Sequence, residues 1–152
     1  MNYPIEETVV HVRFLARQFS KCDAQFVIII ILLELDVPTK YDGFDYLLNA
    51  IKLYFEDPAQ MITKGLYAAV ANLYGGRVDA SHVESSIRAA IKEAWKGKNV
   101  DAWNLYFLFG GDRGMKRPSN TEFISRIARI VQVWKGCCQA FERTVDEREV
   151  TV

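Results

Sequence analysis

The stretch DASHVESSIRAAIKEAW, at residues 79–95, decides the fold and most of the functional interpretation of this chain. Ser81 and Glu84 have the spacing of a capping box, with Asp79 as a competing cap, and they indicate a helix start. Apolar residues then recur at steps of three and four, the spacing of one buried helix face; they are Val83, Ile87, Ala90, Ile91, Ala94 and Trp95. The opposite face is polar and slim, with Ser81, Ser85, Arg88, Lys92 and Lys96. This pattern predicts a helix whose outer face could enter a groove.

Helical spacing of apolar residues and residues typical of helix ends recur over the rest of the chain. No segment long enough for a strand alternates apolar and polar residues with a period of two. The predicted helices are Glu6–Phe19, a helix capped by Asp23 that ends at Pro38, Asp42–Asp57, Ile62–Tyr74, Ser81–Lys96, a short aromatic helix from Asp101 that ends at Gly110, and Ser119–Phe141. We therefore predict an all-α, compact bundle of six or seven helices that contains a helix-turn-helix.

Two segments are less clear. The β-branched run Val27–Ile31 would suit a strand, but its length and helix-like flanks favour a buried helix. The charged segment 142–152 has no apolar stripe and is expected to be a frayed tail. The predicted organisation is an N-terminal helical extension (1–22), an effector domain (23–136), and a helix end with a charged tail (137–152).

Composition limits the class of protein but names no partner. The 152 residues fit one domain with a real core, and 19 basic residues balance 19 acidic ones. Residues 61–120 carry 9 Lys or Arg against 5 Asp or Glu, whereas residues 1–60 carry 5 against 9. The middle of the chain is therefore basic and the front acidic.

The sequence predicts a cytoplasmic protein with reduced thiols and no membrane contact. The N-terminus carries Glu6 and Glu7 where a signal peptide would be basic. The run FVIIIILL (26–33) is far too short to span a bilayer. The adjacent Cys137 and Cys138 form no CxxC pattern, so we expect them to pack within a helix.

No constellation of catalytic or metal-binding residues is present in the sequence. His11 and His82 each stand alone, so neither a nucleophile–base pair nor a zinc site is formed. We expect His11 to be a surface or partly buried helix residue. The segment GGDRGMK (110–116) lacks the Ser or Thr that follows the lysine of a phosphate loop, and it is interpreted as a flexible connection. The chain is predicted not to be an enzyme and to need no cofactor or metal.

The consecutive helices Ile62–Tyr74 and Ser81–Lys96 are joined by a turn with glycines, the gross pattern of a helix-turn-helix. Small serine and alanine side chains would let the second helix approach base edges, and Arg88 could reach guanine. Free N–H groups at the helix start would suit a phosphate. Any two-helix corner with a polar outer face has this pattern, however, so a solvated corner remains an alternative.

Four segments add more specific information: ELDVPTKYDGFDYLLNAI (34–51), MITKGLYAAVANLY (61–74), SHVESSIRAAIKEAW (81–95) and KRPSNTEFISRIA (116–128). In this order they resemble the C-terminal effector domain of the stage-zero sporulation protein A family, over roughly Asp23 to Val133. The resemblance implies an all-helical transcription factor whose helix-turn-helix recognises a short box in promoter DNA. It places the recognition helix at Ser81–Trp95, with base contacts at Glu84 and Arg88.

Several features depart from the family pattern. Ser85 stands where the family typically has an arginine, Ala89 stands where it often has a histidine, and the turn GGRVD is about two residues longer. We therefore expect a target other than the family's usual box. Full-length members carry a phosphorylated receiver domain before this module, whereas about twenty residues precede the match here. The chain is expected to be a small protein without its own phosphoacceptor domain.

The leading hypothesis is a sequence-specific DNA-binding transcription regulator that acts on double-stranded DNA as a homodimer. The predicted base contacts are Glu84, Arg88, Ser85 and His82; the predicted backbone contacts are Ser81, Lys92, Lys64, Arg77, Lys96, Lys98, Lys116 and Arg117. The alternative is a protein-interaction module with a degenerate helix-turn-helix that binds a regulator or an RNA polymerase subunit, such as sigma. The balanced net charge and the serine at position 85 favour this alternative.

Overall fold

The computed structural model describes residues 4–60, 62, 64–107 and 116–150, and within these residues the backbone forms helices and no strands. The helices are α1 (Pro4–Gln18), α2 (Ala24–Glu34), α3 (Asp42–Glu56), α4 (Lys64–Asn72), α5 (Ala80–Lys96), α6 (Val100–Phe107) and α7 (Asn120–Val150). The predicted all-α bundle is therefore confirmed. Over the same residues, no helix combines the length and the apolar character needed to cross a membrane.

The apolar run that could have been a strand is a helix, α2, with both of its ends fixed locally. The Asp23 carboxylate accepts a hydrogen bond from the N–H of Phe26 at 2.9 Å, which confirms the predicted cap. At the other end, Asp36 has a left-handed backbone, with a φ of 58°. The N–H of Val37 donates to the carbonyl of Leu32 at 3.0 Å, the closing bond of a Schellman motif. This motif ends the helix and turns Val37 into the core.

α7 begins as predicted but extends beyond its predicted end. The N–H of Glu122 donates to Ser119 Oγ at 3.2 Å, and the N–H of Ser119 donates to Glu122 Oε1 at 3.4 Å. Together these two bonds form a capping box at the start of the helix. The helix continues to Val150, so the prediction of a frayed tail is wrong for residues 142–150. Glu and Arg, which are frequent there, have high helix propensity, so a helix can continue without an apolar stripe.

The other helices differ from prediction only near their ends. α4 occupies Lys64–Asn72, inside the predicted Ile62–Tyr74. α6 occupies Val100–Phe107, and its predicted end at Gly110 lies outside the described residues. The segment 110–116 also lies outside them, except for Lys116.

One hydrophobic core receives side chains from every helix of the described chain. Trp103 and Trp134 are buried in this core. Trp95 lies half-buried at its margin, with its ring edge-on to that of Trp103 at 5.3 Å between centroids. α5 packs against α3, α4 and α7, so the helix that carries the site is supported on three sides.

α1 is joined to the bundle by polar as well as apolar contacts. His11 is partly buried, as predicted, and its Nε2 lies 3.1 Å from Glu34 Oε2 and 2.9 Å from the Tyr106 hydroxyl. The Tyr106 hydroxyl in turn donates to Glu34. Near the far end of α7, the buried free thiol of Cys138 lies 3.9 Å from the carbonyl oxygen of Ala16, which agrees with the predicted packing role.

Candidate nucleic-acid interface

α4 and α5 are consecutive and pack against each other, as in a helix-turn-helix. Residues 73–79 connect them, a longer turn than the three or four residues typical of the motif. Gly75 and Gly76 have φ angles of 67° and 81°, in the region where a glycine avoids the steric cost of a Cβ. These two glycines lie in the turn after α4, as predicted, and allow the chain to reverse into α5.

The start of α5 is fixed by Asp79 and not by Ser81. The Asp79 carboxylate accepts a hydrogen bond from the N–H of His82 at 2.8 Å. Ser81 lies inside the first turn, so the predicted capping box of Ser81 with Glu84 is wrong: the competing cap, two residues earlier, is used. Because Asp79 occupies one of the first N–H groups with a negative charge, that group is not available to a phosphate.

The two faces of α5 are divided as predicted. Val83, Ile87, Ala90, Ile91 and Ala94 are buried, and they hold the helix in the core. The exposed face carries Ser81, Ser85, Arg88, Lys92 and Lys96. On the solvent side of its first turns, α5 carries the small Ser81 and Ser85 together with the larger His82 and Glu84.

Gly43 determines how closely α3 approaches α5. A Cβ added to Gly43 would overlap the carbonyl oxygen of Ser86 and would come within 2.9 Å of the Cβ of Ala90. The missing side chain therefore lets the two backbones meet. On the same side, the ring of Tyr46 packs edge-on against His82, with 5.8 Å between ring centroids.

The two leading base-contact candidates form an ion pair with each other. Arg88 Nη1 lies 3.3 Å from Glu84 Oε1, and the two side chains are 59% and 44% exposed. The hydroxyl of Ser85 donates to the carbonyl of His82 at 3.2 Å, a bond within the helix that leaves the serine on the surface. Of the four predicted base contacts, Ser85 and Arg88 lie on the outer face of α5, whereas Glu84 and His82 lie at its two edges, beside different clefts.

A cleft of about 570 Å³ borders this face on one side, and we call it the α5–α7 cleft. Its walls bring together Lys64 at the start of α4, Arg88 on α5 and Arg117 before α7. Tyr67 stands in the same cleft. Burial raises the pKa of Tyr67, and a hydrogen bond with the side chain of Asn120 acts in the opposite direction. Three predicted contact residues that are distant in sequence therefore share one opening.

A second cleft of about 500 Å³ lies on the other side of the face, and we call it the α3–α5 cleft. His82, Lys92 and Lys96 line it, opposite Tyr41 and Gly43 of the α3 segment. Lys96 Nζ is 3.1 Å from Glu93 Oε1, an exposed pair of the kind that contributes little to stability. Basic side chains therefore stand in the clefts on both sides of the outer face of α5, beside Glu84 and Glu122 in the first cleft and Asp42 and Glu93 in the second.

The remaining predicted backbone contacts lie near the ends of α5 or beside the first cleft. Arg77 is exposed in the turn before the helix, and Lys116 is exposed next to Arg117. Lys98 lies just after the helix, with its ammonium group 4.3 Å from the centre of the Trp95 ring. The structure does not gather these three residues into either cleft.

Asn120 is part of the site although it is not among the residues predicted from the sequence. Its side-chain amide donates to the main-chain carbonyl of Glu84 at 3.1 Å, which fixes the start of α7 to the second turn of α5. The same side chain is bonded to Tyr67 of α4. Its position directly after Ser119, in the capping segment of α7, was the signal available in the sequence.

Comparison with protein families agrees with this geometry. Residues 28–131 match the family described as "Sporulation initiation factor Spo0A C terminal". The match covers most of the 152 residues and includes α3, α4, α5 and the first part of α7. Members of this family are DNA-binding domains of a sporulation regulator. The chain therefore belongs to the family of the C-terminal domain of the sporulation initiation factor Spo0A.

Proposed function

We propose that this protein is a sequence-specific transcription regulator that inserts α5 into the major groove of DNA. The exposed outer face of α5, between two clefts that carry basic side chains, is the observation that carries the proposal. A major groove about 12 Å wide admits one helix. Membership in a family of DNA-binding domains supports the same conclusion.

Arg88 and Glu84 are the residues proposed to recognise bases. An exposed pair of this kind contributes only about 0.3–0.5 kcal/mol within a helix, so Arg88 can leave Glu84 at little cost. Arg88 would then donate two hydrogen bonds to a guanine, and Glu84 would accept one from a cytosine amino group. Ser85 and His82, toward the helix start, would add contacts to neighbouring bases.

Phosphate contacts are proposed on both sides of α5. Lys64, Lys116 and Arg117 would hold one strand beside the α5–α7 cleft, and Lys92 and Lys96 would hold the other beside the α3–α5 cleft. Ser81, Arg77 and Lys98 would complete the contacts near the two ends of the helix. Each lysine or arginine that neutralises a phosphate adds to affinity without adding sequence information.

We further propose that the protein binds DNA as a homodimer. A single recognition helix reads only a few base pairs, and helix-turn-helix proteins usually obtain affinity from two half-sites about one helical turn apart. Two copies of α5 would then recognise a two-fold symmetric or repeated site. The proposed target differs from the family's usual box, because Ser85 and Ala89 replace an arginine and a histidine.

A selection experiment tests this function. The protein would be incubated with a pool of random duplexes, bound sequences would be recovered, and the best one would be titrated by fluorescence anisotropy at two salt concentrations. We expect an enriched motif and an affinity that falls steeply with salt. Arg88→Ala should lose about 1–3 kcal/mol on the best sequence and much less on random DNA. Arg143→Ala, which removes an exposed arginine outside the matched family region, serves as the matched control.

Equal losses for Arg88→Ala on selected and random duplexes would contradict the role in base recognition. Lys92→Ala should instead weaken binding to all sequences alike and reduce the salt slope by about one. Absence of enrichment, together with salt-independent or undetectable binding, would contradict DNA recognition altogether.

A protein-interaction module is the second candidate function, and two observations favour it. Arg88 is already paired with Glu84, and Ser85 stands where the family has an arginine. In this alternative the same face of α5 would bind a regulator or the sigma subunit of RNA polymerase. Retention of purified sigma on the immobilised protein, lost in Arg88→Ala, together with no DNA enrichment, would favour this function over the first.

A further inference from the structure

The outer face of α1 is apolar although it is exposed. Val10 is 67% exposed and Phe14 is 53% exposed. The two side chains lie one helical turn apart and, with Leu105 of α6, they line a shallow trough of about 570 Å³. Large apolar side chains that are exposed side by side are uncommon on a protein surface unless another molecule covers them.

Charged residues continue this apolar pair in both directions along α1. Glu7 precedes Val10 by three residues, and Arg17 follows Phe14 by three. Glu7, Val10, Phe14 and Arg17 are spaced by three, four and three residues, the spacing along the contact line of a helix that pairs with another helix. We call these four residues the outer seam of α1. Val12, Leu15 and Ala16 of the same helix are buried on the opposite side. α1 therefore has two faces with apolar residues, one packed inside the bundle and one exposed on its outside.

We propose that the outer seam of α1 binds the same seam of a second copy of this chain, with the two helices antiparallel. The seam runs from acidic through apolar to basic, so it is complementary to itself only when one copy is reversed. A two-fold axis through the middle of the seam places Val10 against Phe14 of the partner copy. It also places Glu7 opposite Arg17 of the partner copy, at both ends of the contact.

The ion pairs that the structure describes within one protomer do not involve the charged residues at the two ends of the seam. Among the side chains that the structure describes, which exclude those of residues 144–150, the ion pairs are His11–Glu34, Glu84–Arg88 and Glu93–Lys96. Neither Glu7 nor Arg17 belongs to one of them. The guanidinium of Arg17 lies 5.6 Å from the centre of the Phe141 ring of α7.

This inference rests on the homodimer of the proposed function, and it names the surface that forms the dimer. One helix pair of this length makes a small interface, so a dimer that exchanges with monomer is expected. The seam lies on α1, whereas the proposed DNA contacts lie on α4, α5 and the start of α7. The two surfaces can therefore be tested separately.

Sedimentation equilibrium of the intact protein without DNA tests the dimer. We expect the wild-type protein to change from monomer to dimer as its concentration rises through the micromolar range. Val10→Asp places a charge at the centre of the seam and should leave the protein monomeric over that range. Val133→Asp changes an exposed valine of α7 and should leave the dimer intact. A wild-type protein that remains monomeric at the highest concentration, with the seam then left to another partner, would overturn the proposal.

Charge reversal tests the antiparallel register. Glu7→Arg and Arg17→Glu should each weaken the dimer at least severalfold, and the double variant should restore it, because both pairs are re-formed with reversed sign. A double variant no better than the two single variants would overturn the register. Circular dichroism would confirm that each variant is folded.

DNA binding then separates this proposal from the proposed function. Val10→Asp should still bind a single selected half-site with wild-type affinity and should lose its advantage on a paired site. Loss of dimer in Val10→Asp together with unchanged binding to paired sites would overturn the link between the seam and DNA. Failure of every variant and of wild type to bind any duplex would refute DNA binding while the sedimentation result stands.

Discussion

Gly43→Ala is the most direct test of how α5 is held in position. The added methyl group would overlap the carbonyl oxygen of Ser86 and would lie 2.9 Å from the Cβ of Ala90. Carbon atoms pack best at about 3.5–4.0 Å, so α3 and α5 must separate by roughly 0.6 Å or more at this point. The Ser86 contact is to backbone, so no side chain can rotate away to relieve it.

The expected cost of Gly43→Ala follows from two opposing terms. Overpacking typically lowers the free energy of unfolding by about 1–3 kcal/mol. Alanine has a higher helix propensity than glycine, by roughly 1 kcal/mol in a helix interior, and near the helix start part of this difference offsets the loss. We expect the free energy of unfolding to fall by about 1–2 kcal/mol. For a chain of this size, each kcal/mol shifts the melting temperature by about 2–4 °C.

Thermal or urea unfolding followed by circular dichroism measures this change, and Gly136→Ala is the matched control. Gly136 lies in α7, and a Cβ there would meet nothing within 4 Å. The same substitution should therefore raise the free energy of unfolding by up to about 1 kcal/mol. If Gly43→Ala were as stable as wild type or more so, the close contact between α3 and α5 would be wrong.

Two further predictions concern stability. Asp36→Gly should stabilise the protein by about 0.5 kcal/mol, because glycine has no Cβ that opposes the left-handed φ of 58° at this position. Asp36→Ala keeps the Cβ and should give no such gain, and chemical unfolding of both variants measures the difference. Burial raises the pKa of Tyr46, Tyr67, Tyr74 and Tyr106 above the usual 10.0, so these four should form tyrosinate late in an alkaline ultraviolet titration of the native protein. Because the unfolded chain loses these protons first, stability should be intact below pH 10.0 and should fall as the pH rises above it; constant stability through that range would contradict the burial of these hydroxyl groups.

Most of the fold could be predicted because its signals are local. Caps at Asp23 and Ser119 and the glycines after α4 each act within one turn of chain, and each occurs where the sequence indicates. The cap of α5 was ambiguous because Asp79 and Ser81 both suit the position, and the structure uses Asp79. The end of α7 was missed because a charged helix without a buried stripe has no periodicity to detect.

The site was predictable only in its local part. The exposed face of α5 follows from helical periodicity, so Arg88 and Lys92 could be placed on one surface from sequence. The hydrogen bond from Asn120 to Glu84 joins residues 36 positions apart, and the approach of Gly43 to Ser86 joins α3 to α5. Such contacts depend on how helices pack, and no pattern within one helix encodes them.

α7 also sets the distance between its contact with α5 and its contact with α1. It is fixed to α5 at Asn120 and to α1 at Cys138, and 18 residues of continuous helix separate the two points. At 1.5 Å per residue this length is about 27 Å. Deleting one residue between them would shorten the rod by about 1.5 Å and rotate one end against the other by about 100°. The distance and angle between α1 and α5 are therefore determined by the number of residues in α7 between these two contacts.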